Sequence, residues 1–509
     1  MRMDRTENTV KNVTFSMLSE FMLAVLKFVS RYVFVQILGK EYLGLDGLFT
    51  DILAVLSLAE LGFSVSITYS LYRPAAEGDR ELIKSLIRLY RRVYQIVGVT
   101  VLTVGAGLTP FLDFFVKEMP EDIPYIPLIY LLNVLNTGVA YFFTYKSTLL
   151  FVYQKKYIDT MIRAGLTLLV NVVQIVVLVV SGNYLYYLCI LVAGTVLQNV
   201  AVAVKADRLY PYLREKEVRP LPGEILQDIR RNVSAMILNR VGAAAVFSTD
   251  NILISKFVGI ITTGLYSNYV MIRGFLNLMV SALFNALTPA LGSLVATETE
   301  EAKRVAFRRL DFFGAWLFGW LSICLLWLFD PFITLWLGED YLLPRPAVIL
   351  IVVNFYVNSM RIPVAKTRSA MGLFWDERYK SILEAVLNLV VSVLLAKHFG
   401  IVGILAGTLI SSVALPFWIE PRGLYRYGFR QPCRIYFVRY FLYLLVTVGA
   451  GALTGLLCRL TGEGVTGFLG KGLLCLVIPN AVYLAAYGRT EAFRTLWTLG
   501  KEILDRRGK

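Results

Sequence analysis

Histidine and cysteine are nearly missing from this chain of 509 residues, which has one of the first and five of the second. The cysteines (Cys189, Cys324, Cys433, Cys458, Cys475) are scattered, with no CxxC spacing and no even set within one loop. They therefore point to neither a metal site nor a disulfide framework and read as small apolar side chains. His398 stands at the end of a hydrophobic segment beside Gly400, where an interfacial side chain is a better reading than a base or ligand. Charged residues make up only 17% of the chain, and charge-poor apolar runs recur every 25 to 40 residues. Residues 1–12 are polar and basic, and the apolar stretch after them is span-length without a small-residue cleavage site. An uncleaved first helix is expected there, not a removed signal peptide.

What is abundant is apolar. The chain is 57% hydrophobic with mean hydropathy +0.63, more than a water-soluble core absorbs. A bilayer core about 30 Å thick takes about 20 helical residues per crossing. Runs such as residues 165–180 and 382–396 are therefore read as spans. About fourteen are expected: 13–37, 44–71, 93–116, 124–145, 158–180, 184–204, 233–257, 264–290, 311–329, 346–365, 379–397, 401–419, 436–457 and 466–487. The fold class is thus an all-α integral membrane bundle.

The basic residues set the orientation, because Lys and Arg collect at cytoplasmic ends. With the N-terminus inside, and with Arg163, Lys256, Lys380, Lys397 and Lys471 near span ends counted with the adjoining loops, 38 of the 51 fall on the cytoplasmic side and seven fall outside. The other six, Lys27, Arg31, Arg240, Arg273, Arg361 and Arg439, lie within spans. Both termini are then cytoplasmic, and the net charge of +15 needs no nucleic acid partner. Residues 80–93 alternate Leu82, Ile83, Leu86, Ile87 and Tyr90 with basic positions at helical spacing. Either a helix on an anionic membrane surface or the solvated start of the third span fits that pattern. The basic tail from Arg489 to Arg507 presents the same choice.

Sliding the chain by 220 positions exposes an internal repeat. Asn12-Val13-Thr14 overlays Asn232-Val233-Ser234, Gly39 overlays Gly259, and Gly44-Leu45 overlays Gly264-Leu265, without a gap. Six spans separate the copies, so both enter the membrane in the same direction, as parallel repeats related by an axis along the membrane normal. The expected organisation is a six-helix lobe at 1–204, a cytoplasmic linker at 205–232, a second six-helix lobe at 233–420, accessory helices 13 and 14 within 421–487, and a basic tail at 488–509.

The stretch Ile37-Leu38-Gly39-Lys40-Glu41-Tyr42-Leu43-Gly44-Leu45-Asp46-Gly47-Leu48-Phe49, continuing through Leu56-Ser57-Leu58-Ala59-Glu60-Leu61-Gly62, resembles the second-helix signature of Wzx-like bacterial polysaccharide flippases. These belong to the multidrug/oligosaccharidyl-lipid/polysaccharide exporter superfamily. Asp250-Asn251-Ile252-Leu253-Ile254 with Gly259 and Gly264-Leu265-Tyr266 resembles the seventh- and eighth-helix motif of the same group. The resemblance implies a V-shaped alternating-access bundle in the bacterial cytoplasmic membrane, carrying an undecaprenyl-pyrophosphate-linked oligosaccharide repeat unit from the inner to the outer leaflet. The product would be capsule, exopolysaccharide or another surface glycan, and a glycan polymerase and glycosyltransferases would be partners. Such a protein is a carrier, not an enzyme.

Ionisable side chains in spans are costly and mark candidate sites. Lys27 and Arg31 share a helical stripe with Glu20; Arg273 lies one turn from Asn277; Arg361 follows Asn354 and Asn358; Arg240 sits two turns into the seventh span. In the functional reading these residues line a basic cavity between the lobes, where Arg forks and the Lys27 ammonium hold pyrophosphate and the asparagines bond sugar hydroxyls. In the alternative reading the charges neutralise each other within hairpins, Arg31 with Asp51 and Asp250 with Arg273, leaving Lys27, Arg240 and Arg361 without an evident partner. Asp250, and after it Glu60, are candidates for Na⁺ or H⁺ coupling. Rival cargoes are an organic cation, which Lys27, Arg31 and Arg361 would oppose, and a peptidoglycan-precursor lipid. The external loops are too short for a catalytic domain and hold no DxD-type metal site, which argues against a glycosyltransferase or polymerase.

Overall fold

The computed structural model describes residues 2–57, 63–215, 218–227, 229, 233, 249–373, 379–495 and 497–498. Among them every regular element is a helix. In chain order the α-helices are α1 Arg2–Leu56, α2 Phe63–Glu77, α3 Arg80–Gly107, α4 Leu112–Phe115, α5 Ile126–Val152, α6 Lys156–Ser181, α7 Tyr184–Leu209 and α8 Ile260–Thr297. They continue as α9 Glu300–Trp336, α10 Arg345–Ser359, α11 Arg361–Ala370, α12 Lys380–Ala414, α13 Pro416–Gly423, α14 Arg434–Cys458 and α15 Gly464–Tyr487. Two compact units emerge, Met1–Ser267 and Asn268–Lys509, with α8 starting in the first and continuing in the second.

Among the described residues nine helical stretches are long and apolar enough to cross a membrane, ten if the bent pair Arg80–Gly107 with Thr109–Phe115 is one span. Some hold two expected crossings end to end. α1 is broken at Gly39 (φ 84°, ψ −170°), between the first and second. α12 is broken at Gly400 (φ 54°), between the eleventh and twelfth. The seventh expected span lies largely outside the described residues.

The outer faces are lipid-like. On α6, Leu169, Val172, Val176, Val179 and Val180 are exposed at helical spacing, while Val170, Gln174 and Leu178 on the opposite stripe are buried. A helix that shows apolar side chains outward and buries its amide inward is patterned for hydrocarbon, not water. Gln174 uses that buried position to donate to the Tyr187 carbonyl (3.1 Å). Glycine lets adjacent helices close up where two spans pack side by side, as at Gly194 against Val170.

The structure decides between the two readings of residues 80–93. α3 runs unbroken from Arg80 to Gly107, and Ile83, Leu86, Ile87 and Tyr90 are buried in a protein core with Tyr210 and Ile229. Their cover is the segment between the repeats. Tyr210 stacks on Tyr153 (4.8 Å), Arg80 lies over the Tyr212 ring (5.7 Å), and Lys84 bridges Glu81 (2.6 Å) and Glu215 (2.7 Å). Burial pushes the phenols of Tyr210 and Tyr212 upward.

Candidate functional site

On α1, Lys27 is exposed and Arg31 half-buried. Among the described residues neither makes an ion pair or hydrogen bond. The neighbouring face of the same helix is pinned. Ser30 donates to Asn171 (3.1 Å), and Phe34 meets the edges of Tyr184 (5.4 Å) and Tyr187 (5.7 Å). Further along, the Tyr184 hydroxyl donates to Asp46 (3.1 Å). The helix is thus pinned on that face, with Lys27 exposed and Arg31 half-buried near the Tyr187 ring. Arg273, half-buried, and Asn277, exposed, sit on α8 in the same condition, with no polar partner among the described residues. Arg240 and Glu60 lie outside the described residues.

The two repeat corners interlock inside the first unit. Gly39 and Gly259 both hold positive φ (84° and 135°), a backbone conformation that glycine adopts at little steric cost. Beyond them, Gly44 lies against the Ile260 carbonyl, and a β-carbon on Gly264 would stand 2.6 Å from the Lys40 oxygen. Leu43, Leu45, Leu48 and Phe49 are fully buried around this contact. The interlock redirects the acids. Asp51 accepts from Asn251 (2.6 Å), and buried Asp250 accepts from the Tyr266 hydroxyl (3.2 Å). The hairpin pairs Arg31 with Asp51 and Asp250 with Arg273 are therefore not formed. Asn251 holds the repeat position equivalent to Arg31, so Asp51 meets the second copy's side chain instead of its own hairpin's.

Arg361 does have partners, contrary to the expectation that it stands alone. Its guanidinium binds Glu384 (3.0 Å) and Glu420 (2.7 Å) and donates to Asn358 (2.9 Å). Lys380 also donates to Glu420, and Ser412 donates to Glu384 (3.3 Å). Two cations and two carboxylates balance, and both acids are buried. Asn354 is buried and donates to the Leu405 carbonyl (2.9 Å). Glu420 and Lys380 escaped the sequence reading. Lys380 carried a usable signal, lying one turn before Glu384, whereas Glu420, 59 residues from Arg361, carried none.

A family model described as "Polysaccharide biosynthesis protein" matches residues 9–295. No curated protein matches the chain. The fold is similar to that of the lipid II flippase MurJ in an inward closed conformation, with a TM-score of 0.65 at 12% identity over 93% of this chain and 99% of that one. It is also similar to an inward-facing multidrug resistance MATE family transporter of the MOP superfamily, with a TM-score of 0.59 at 14% identity, covering 79% and 94%. A MOP superfamily transporter from Pyrococcus furiosus, described as having a binding pocket of reverse polarity, gives a TM-score of 0.54 at 15% identity, covering 83% and 96%. At these identities the likeness carries the fold. The chain is a multi-pass membrane protein of that architecture.

Proposed function

This chain belongs to the polysaccharide biosynthesis protein family, and from that premise we propose that it is a flippase for a lipid-pyrophosphate-linked oligosaccharide repeat unit. It would work in a bacterial cytoplasmic membrane, with both termini inside, and supply capsule, exopolysaccharide or another surface glycan. The observation that carries the reading is the state of Lys27, Arg31 and Arg273. They stand on two helices of apolar make-up without a counter-charge among the described residues. A cation held in such a place is costly unless it meets an anion or water, and a pyrophosphate supplies several charge-assisted acceptors. The similarity of fold to a lipid II flippase supports a lipid-linked cargo.

An organic cation would meet repulsion from Lys27 and Arg31 in the first unit, and from Arg273 in the second, wherever it approached either, so the multidrug reading is the weaker one. A peptidoglycan-precursor lipid shares the pyrophosphate and differs in its sugars. Arg361, whose charge two carboxylates already balance, offers an anion less than its sequence position suggests, and we assign it with Asn354 and Asn358 to the framework. Asp250 and Glu60 remain proposed sites of Na⁺ or H⁺ coupling.

The test is flipping in proteoliposomes containing the purified protein and a fluorescent undecaprenyl-pyrophosphate oligosaccharide, with a peptidoglycan-precursor lipid and an organic cation dye as competitors. Protection of the oligosaccharide lipid from external quencher, lost in Lys27→Gln with Arg31→Gln, is expected. Transport of the dye alone would reject the proposal, and equal transport of both lipids would broaden it to pyrophosphate-linked glycans in general.

A further inference from the structure

One carboxylate in the second unit has no role in the network around Arg361. Asp311 lies near the charged start of α9 and is 1% exposed. Both of its carboxylate oxygens are buried without a hydrogen-bond partner. Polar groups from several of the elements packed along this part of α9 surround it, while α8 contributes the Phe284 ring against Phe313 and Phe318. α10 brings Tyr356, and the turn after α13 brings Tyr425. α14 brings Tyr436, Tyr440, Tyr443 and Arg439, all close enough to feel its charge. On α15, the Tyr487 ring stands against Phe312 (5.4 Å).

The cations nearby are committed elsewhere. Arg439 donates to the Tyr425 hydroxyl (2.6 Å) and its Nε is left buried without an acceptor. On α9 itself, Arg308 and Arg309 reach Glu301 (3.4 Å) and Glu491 (3.5 Å). On α11, Arg368 donates to the Leu373 carbonyl (3.0 Å). Glu420 is bound by Arg361 and Lys380.

An ionised carboxylate without a donor in a dry setting takes up a proton in preference to remaining charged. We propose that Asp311 is a proton-binding site of this transporter, neutral in the present conformation, and that it ionises when the Arg439 guanidinium turns from Tyr425 to meet it. A metal cation fits less well, because it needs several oxygens converging at bonding distance and no hydroxyl comes within hydrogen-bond distance of the carboxylate. The movement repacks α9 against α14 and α15, which line it. The terminal helix pair thereby gains a task, that of carrying the counter-charge of a proton switch. The inference rests on the transport reading for its consequence, while the protonation itself is independent of cargo.

The experiment is pH-dependent infrared spectroscopy of the full-length protein in liposomes without glycan lipid. The expected result is a carboxylic-acid C=O band that Asp311→Asn removes. In Arg439→Gln, the pH at which that band disappears moves upward by roughly one unit or more, since an opposite charge has been taken away. The isosteric Asp311→Asn keeps the shape of the site, and the Arg439→Gln shift is read on the native carboxyl, so a folding failure of one variant leaves the other measurement. A carboxylic band unchanged by Asp311→Asn at every pH overturns the proton site. A band that Asp311→Asn removes but Arg439→Gln leaves unshifted overturns the switch. No flipping of the glycan lipid by the parent protein in the separate proteoliposome assay, with the band present, counts against the proposed cargo and leaves the proton site standing.

Discussion

Gly44 lies against the backbone carbonyl of Ile260, and Gly264, its equivalent 220 residues on, lies against that of Lys40, the equivalent of Ile260. The contact is its own mirror under the repeat, which is what a local two-fold axis between the corners requires. Backbone oxygens on both sides have no rotamer with which to yield. Gly264→Ala is therefore expected to destabilise the fold by about 1–3 kcal/mol through overpacking. Gly165, with nothing within 4 Å of its would-be β-carbon, is the control: its alanine variant should gain up to about 1 kcal/mol in helix propensity. Thermal unfolding in detergent compares the two, and equal melting temperatures would refute the interlock.

Removing one member of the Arg361 network leaves a buried charge uncompensated. Glu420→Gln strips Arg361 and Lys380 of their shared acceptor, at a cost of about 3–5 kcal/mol. Glu420→Gln combined with Lys380→Met restores neutrality and should recover a good part of that loss. A double variant no more stable than the single one would show that the four groups do not act as a unit.

For the unpartnered cations the expected outcome is the reverse, with function lost and stability kept. Lys27→Gln, Arg31→Gln and Arg273→Gln each remove a charge that forms no ion pair or hydrogen bond among the described residues. Melting temperatures should stay close to the parent's. Transport of the glycan lipid should fall by roughly tenfold or more per residue, as expected for a lost charge-assisted contact worth about 1.5–3 kcal/mol. Unchanged surface glycan in all three variants would remove the phosphate assignment.

The segment between the repeats is strapped to the turn after α5 by stacked aromatics and to α3 by the Arg80–Tyr212 and Lys84–Glu215 contacts. Tyr210→Ala removes the 4.8 Å stack on Tyr153 and a side chain that is 8% exposed. Limited trypsin digestion at Arg214 should then run about tenfold faster, in line with a loss of about 1–2 kcal/mol in local stability. Digestion at the parental rate would mean that the strap is held by its other contacts.

Much of this architecture was legible before any coordinates. Gly39 and Gly259 stood out because a positive φ at a helix corner is a local demand that few residues other than glycine meet cheaply, and local demands leave local marks. The apolar stripes of α6 were readable for the same reason. Partners between distant helices were another matter. Arg31 and Asp51 looked paired because depth along the membrane was the only coordinate that spacing provides, and depth says nothing of which helix stands alongside. Asp311 opens the ninth expected span, and nothing in its spacing reports that its surroundings are dry.

The sequence by itself determined the all-helical membrane class and the repeat of its glycine corners, since each follows from periodicity, transfer energy and local backbone demands, which act residue by residue. Only the tertiary structure decided which charges are satisfied. Arg361 found two carboxylates, Lys27 and Arg31 found none among the described residues, and Asp311 found a cage of tyrosines. An ion pair is a property of distance in three dimensions, and helices brought together by packing fix that distance without regard to their order in the chain.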